Sequence, residues 1–210
     1  MFQTIREDMR HKAKWYQLPE SPRSILRMCF SDGSTAQILY RAMRFCQTHH
    51  LKIFAFILYR LNVFLGHVVI GRGAEFGSGL IILHSFGIVI NSSVKVGKNC
   101  ILEHAVTIGA EKDVSPVLGD NVFVGAGAKI IGGIRIGSDV KVGANAVVTK
   151  DVPDGATVVG IPAKVIKIYG QRVNENNGNN GNNGNNGNHS FNGSNSSKDS
   201  LNSLLESEIN

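Results

Sequence analysis

The chain has 210 residues, 42% hydrophobic and 18% charged, which suits one globular domain with appendages better than two full domains. Glycine is abundant at 24 residues and aromatics make up only 7%, favouring a turn-rich, repetitive β architecture over a helical bundle. The net charge is +6, and the last 39 residues hold two basic and four acidic side chains, so residues 1–171 carry about +8; a basic body suits a nucleotide or a nucleic acid equally and does not decide between them.

Three cysteines, Cys29, Cys46 and Cys100, are widely spaced and form no CxxC, which argues against a disulfide framework or a cysteine-based zinc site. The opening MFQTIREDMRHKAKW is charged throughout and lacks the apolar core of a secretory signal. The longest apolar stretch, Ile53 to Leu58, is too short to span a bilayer. These features predict a soluble, reduced, cytoplasmic protein with no membrane partner.

Residues 1–66 read as an α-helical segment. Thr4-Ile5-Arg6-Glu7 and Ser34-Thr35-Ala36-Gln37 both fit the capping box that opens a helix. After the second, Ile38, Leu39, Ala42, Met43, Phe45 and Cys46 recur at helical spacing. Lys52 to Leu61 is apolar around most of its surface, which predicts packing between other helices or subunits.

Residues 67–171 carry a different period. Aliphatic and aromatic residues recur every six positions at Ile70, Phe76, Ile82, Ile88 and Val94, then at Val96, Leu102 and Ile108. A third register runs Leu118, Val124, Ile130, Ile136, Val142 and Val148. Glycine often follows the large residue, and a small residue such as Ala74, Cys100, Ala128 or Ala146 often sits four places after it. Period six fits neither a helix nor simple strand alternation. It describes a short strand and a tight turn, repeated, with one large inward side chain per repeat, and stacked coils that bury a continuous core.

The register shifts twice. Ile88 to Val96 leaves two extra residues, which this reading places near Asn91–Ser93, and Ile108 to Leu118 leaves four around Glu111–Pro116. His84 and His104 each lie two places after an inward aliphatic residue. They are therefore expected on the same edge of adjacent coils.

Residues 172–210 hold fourteen asparagines in a glycine- and serine-rich run. Such a segment cannot bury enough apolar surface to offset its ordering entropy, and disorder is the expectation.

The hexapeptides resemble those of the left-handed parallel β-helix acyltransferases, and the segment Lys150-Asp151-Val152-Pro153 through Gly160-Ile161-Pro162-Ala163-Lys164 looks like that family's closing signature. Residues 35–168 are more closely similar to the serine O-acetyltransferases, from a helical LYRLN segment through His-x-x-Gly to GxPAK. The resemblance implies acetyl-CoA as co-substrate, with no permanently bound cofactor and no metal. It further implies a hydroxyl acceptor, a homotrimer or dimer of trimers with sites between subunits, and the O-acetylserine sulfhydrylase as a partner. That partner is met through a terminal Ile peptide, which the ending Glu208-Ile209-Asn210 matches imperfectly.

Acetyl transfer to an alcohol needs a base for the hydroxyl proton, and a neutral histidine suits that role near neutral pH. Backbone N–H groups at a glycine-rich edge can serve the oxyanion. The resemblance implies His84 as the base. His104 matches a histidine of the capsule and exopolysaccharide acetyltransferases, where it would be a second polar group for the acceptor. Ala126, Ala144 and Lys164, in GAGAK, VGANA and GIPAK, are implied to contact the co-substrate, the alanines by letting the pantetheine arm lie close and the lysine by meeting a phosphate.

The chain departs from the serine pattern at three places. The aspartate that partners the catalytic histidine falls on Val69, the aspartate just before it on Leu83, and the Arg-His-Pro of the extruded loop on Val114-Ser115-Pro116. Something else must orient His84, and Glu103 is a candidate. These departures leave two competing readings, an O-acetyltransferase of a sugar or polysaccharide precursor and a non-catalytic trimeric scaffold, and the two histidines raise a third, a metal-dependent β-helix hydratase. The hydratase needs three histidines on zinc, yet none occurs between 105 and 188. A nucleic-acid partner has only the basic charge behind it and is not expected.

Overall fold

A computed structural model describes residues 1–173. Its first third is helical: α1 (Phe2–Trp15), α2 (Pro22–Cys29), α3 (Ser34–Thr48) and α4 (Lys52–Leu65). Neither expected capping box forms. α1 starts two residues before Thr4, with Met1 at its N-cap, and α3 is capped by Gly33 without a side-chain hydrogen bond. The box residues Ser34 and Gln37 are buried and committed elsewhere, because tertiary partners compete successfully for the same polar atoms. α2 carries the side-chain cap, Ser24 N–H donating to Ser21 Oγ at 3.2 Å with Pro22 in the first turn.

Sixteen short strands follow among the described residues, and the first fourteen wind into a parallel β-solenoid of about five turns. One face stacks β1 (Val68–Ile70), β4 (Ile88–Ile90), β7 (Thr107–Gly109), β10 (Lys129–Ile131) and β13 (Val147–Val148). A second stacks β2 (Glu75–Phe76), β5 (Lys95–Val96), β8 (Val117–Leu118) and β11 (Arg135–Ile136). The third stacks β3 (Ile81–Ile82), β6 (Ile101–Leu102), β9 (Phe123–Val124), β12 (Lys141–Val142) and β14 (Ala156–Val159). It ends in the antiparallel β15 (Lys164–Ile168) and β16 (Gln171–Arg172). The Asn/Gly/Ser-rich stretch from residue 174 onward, with the expected disorder and the Ile209 peptide, lies outside the described residues.

The six-residue period becomes three ladders in the core. Ile70, Ile90, Ile108, Ile130 and Val148 form one, and Ile82, Leu102, Val124, Val142 and Val158 another. The third runs Phe76, Val96, Leu118, Ile136 and Val152. All are buried, and each such side chain contributes about 1.5–3 kcal/mol relative to exposure. At one corner, residues 79, 99, 121, 139 and 155 all take positive φ, and the sequence puts Gly, Asn, Asn, Asp and Gly there. Those are the residues that adopt the left-handed conformation at least cost.

The ladders correct one register. Ile82 pairs with Leu102, an offset of 20, whereas Ile90 pairs with Ile108, an offset of 18. The two extra residues therefore fall between Ile82 and Ile88, at the turn carrying His84, rather than near Asn91–Ser93. Ile88 and Ile90 are both buried on β4, so the sequence offers two acceptable inward registers, and the structure pairs Ile90 with Ile108. The four-residue insertion is where it was expected, closed by a Glu111–Val114 bridge.

A solenoid's first coil leaves its backbone unpaired on one side, and a buried unpaired edge is costly. Here α1 and α3 close it with side chains. Asp8 Oδ1 accepts from Gly79 and Leu80 N–H at 2.8 and 3.0 Å. Arg41 donates to the carbonyls of Phe76 and Gly77, at 2.8 and 2.6 Å, and pairs with Asp8 at 2.7 Å. Tyr40 O–H donates to Ala74 O at 2.9 Å and accepts from Phe76 N–H. Gln37 donates to Leu80 O and accepts from Ile82 N–H. α4, expected to be packed on most sides, meets α3 and β1 but leaves Ile53, Phe54, Phe56 and Phe64 exposed in the single chain. No helix among the described residues is long and apolar enough to cross a membrane.

Candidate active site

His84 leaves the core just after β3, in the turn widened by the two-residue insertion, and His104 follows β6 one coil on. The pairing of Ile82 with Leu102 stacks the two turns, and the imidazole centroids stand 6.1 Å apart, tilted 70° to each other. Both rings are about half exposed. The expected shared edge is thus observed.

The same ladder continues through Val124 and Val142, so Ala126 and Ala144 occupy the equivalent turn positions on the next two coils. Asn145 N–H donates to Ala126 O, and Gly127 N–H to His104 O, tying successive turns together. Lys164 begins β15 opposite Val159, beside the last coil of that face. Four of the five residues singled out from the sequence therefore descend one edge of the prism, and the fifth lies at its foot. Ala144 and Lys164 are exposed and Ala126 half-buried, leaving the edge open to an extended ligand. A groove on the helical segment, lined by Arg6, Arg10, Ile25 and Cys29 among others, includes none of the five.

A residue from outside the solenoid completes the constellation. Asp32, in the loop between α2 and α3, places Oδ2 2.7 Å from His84 Nδ1. The hydrogen bond from His84 holds the Asp32 carboxyl below the ordinary carboxylate range; partial burial opposes this, and Gly33 N–H, donating to Oδ1 at 2.7 Å, adds to it. A carboxylate only accepts, so a neutral His84 ring that donates through Nδ1 leaves its lone pair on Nε2. Glu103, the sequence candidate for orienting His84, instead stands 3.9 Å from His104 Nδ1. Tyr16 lies near both carboxylates, its phenol pushed up by burial and by the charges of Glu103 and Asp32.

Beneath Asp32 lies Lys12 of α1, fully buried. Its ammonium donates to the backbone carbonyl of Asp32, to Ser34 Oγ at 2.9 Å and to Ile82 O at 2.9 Å. Burial lowers its pKa to about 8, against the opposing attraction of Asp32. Sequence reasoning missed Asp32 and Lys12. Asp32-Gly33-Ser34 reads as a turn between helices, and no local pattern links it to a histidine 52 positions away. The one available signal was chemical: a base without its expected aspartates demands another acceptor.

Residues 115–150 match the model of the bacterial transferase hexapeptide (six repeats). The chain is 36% identical over 178 residues to the serine acetyltransferase of Synechococcus elongatus, covering 83% of this chain and 72% of that protein. It is 37% identical over 166 residues to the serine acetyltransferase of Helicobacter pylori, covering 77% and 91%. Among solved structures, the serine acetyltransferase of Brucella abortus in complex with coenzyme A superposes with a TM-score of 0.70 at 30% identity, over 79% of this chain and 67% of that one.

Proposed function

The chain belongs to the serine acetyltransferase family, and from that premise we propose that it moves the acetyl group of acetyl-CoA onto the hydroxyl of L-serine, with His84 as the general base. The observation that carries the assignment of the base is the His84 ring itself. Its Nδ1 is engaged by Asp32 while its Nε2 remains available on an open edge.

In the reaction, Nε2 of His84 takes the hydroxyl proton as the serine oxygen attacks the thioester carbon. The carbonyl π pair moves to oxygen, and backbone N–H groups along the glycine-rich edge stabilise that charge. Collapse of the intermediate breaks the C–S bond, and the departing thiolate takes the proton from the imidazolium. O-acetylserine and coenzyme A leave, and His84 returns to its starting state. His104, 6.1 Å away, offers a second polar group to the acceptor. Ala126 and Ala144 let the pantetheine arm run down the edge, and Lys164 meets a phosphate at its foot. The protein acts as a homotrimer in which neighbouring copies wall that edge; a mass near three times 22.7 kDa in light scattering is the expected result.

Thiol release from acetyl-CoA tests the assignment. Release that depends on L-serine and drops by about 10²–10⁴-fold in His84→Ala is expected, the range typical of a general base. Release indifferent to serine overturns the acceptor, and an unaffected His84→Ala overturns the base.

A further inference from the structure

Asp32 and His84 are both more than half exposed, at 65% and 55% of their side chains. Contacts between exposed side chains usually contribute little, because both partners are free to leave. This one differs in how the two backbones are joined. Gly33, next to Asp32, sits at φ +72 with its Cα pressed on the solenoid; a Cβ there would lie 2.2 Å from the carbonyl oxygen of Ile82. Lys12 donates to that same carbonyl and to the carbonyl of Asp32. Ser34 Oγ adds a bond to Met28 O at 2.6 Å, closing the loop from its other side. The turn that begins two residues after Ile82 carries His84. Loop and turn are therefore fastened to one backbone atom, and Gly33 N–H orients the carboxylate from behind.

From this geometry we infer that Asp32 is the positioning residue of the site: it fixes His84 as the Nδ1–H tautomer, aims Nε2 at the acceptor, and stabilises the imidazolium formed when the proton arrives. The inference rests on the reading of His84 as base. It makes the helical segment part of the active site, with Lys12 and Gly33 as the fixtures that hold Asp32 in place. No other carboxylate does this work among the described residues: Glu103 lies beside His104, and Val69 and Leu83 supply none.

Asp32→Asn separates this role from a structural one. The asparagine is isosteric, and its Oδ1 still accepts from Gly33 N–H. Its Nδ2 now donates toward His84 Nδ1, so the ring must carry its proton on Nε2 and the lone pair points away from the acceptor. Where an aspartate sets the tautomer of a catalytic histidine, this exchange lowers kcat by up to about 10⁴-fold. Here a loss of at least about 10²-fold in kcat is expected, with KM for acetyl-CoA within twofold and an unchanged melting temperature. Long-range ¹H–¹⁵N spectra, with His84→Gln used to assign the ring, are expected to show the proton on Nδ1 in the natural protein and on Nε2 in Asp32→Asn. A kcat within threefold of the natural protein, or an unaltered tautomer, overturns the inference. If the natural protein shows no serine-dependent release, the functional reading fails, and the spectra still decide the tautomer. Gly33→Ala provides a second route, since it lifts the loop from Ile82 and leaves the carboxylate intact; the same fall in kcat is expected.

Discussion

At the scale of single residues, Lys12 is the most consequential side chain outside the edge that carries His84 and His104. It is fully buried, and its three hydrogen bonds join α1, the α2–α3 loop and the first coil. Lys12→Met keeps the volume but leaves the carbonyls of Asp32 and Ile82 without that donor. Each unsatisfied buried acceptor costs about 1–3 kcal/mol, so a lower urea midpoint is expected, along with a fall in kcat as Asp32 loosens. The ionisation has a sign of its own. Burial lowers the folded pKa to about 8 from 10.5, so between those values the unfolded chain binds more protons, and stability contributed by this group rises with pH. The difference in urea midpoint between natural protein and Lys12→Met is expected to widen in favour of the natural protein from pH 7.5 to pH 10. A flat difference would show that Lys12 titrates normally.

Among the elements, the first coil depends on α1 and α3 for the backbone partners that a further coil would otherwise supply. The Asp8–Arg41 pair is the centre of that cap, with both side chains buried and each also bonded to the coil backbone. Burial raises the Asp8 pKa despite Arg41, whose hydrogen bond and charge act in the opposite direction. Arg41→Met strands that carboxylate in the interior, and removal of one partner from a buried pair costs about 3–5 kcal/mol. Urea denaturation followed by circular dichroism checks this; a loss under 1 kcal/mol would mean that water or a rearranged neighbour takes over. The helices themselves were legible from sequence, because apolar spacing marks a helix wherever it packs. Their polar capping residues were not, since Asp8, Lys12, Gln37 and Arg41 look like ordinary surface positions until the coil is placed against them. The capping boxes misled for the same reason: Ser34 and Gln37 have the right spacing, but buried carbonyls of the solenoid outcompete the helix's own N–H groups.

For the whole molecule, the proposed site joins the helical segment to the solenoid through Asp32 and His84. Removing residues 1–16 takes away Asp8, Lys12 and Tyr16 together, exposes the edge of β3, and leaves Asp32 without its fastening. Such a truncation is expected to be insoluble or inactive, and a soluble truncated chain with full serine-dependent thiol release would contradict the shared site. The repeat, the inward residues and the shared edge of His84 and His104 were legible in the sequence. All of these follow from a period of six residues, because in a solenoid the distance along the chain fixes the position around the coil. The tertiary structure decided where the two-residue insertion lies, since Ile88 and Ile90 are both apolar and either satisfies the period. It also decided which carboxylate stands against His84. Asp32 reaches His84 across 52 residues of chain through a buried lysine and a glycine pressed on a carbonyl, and contacts of that kind have no period to read.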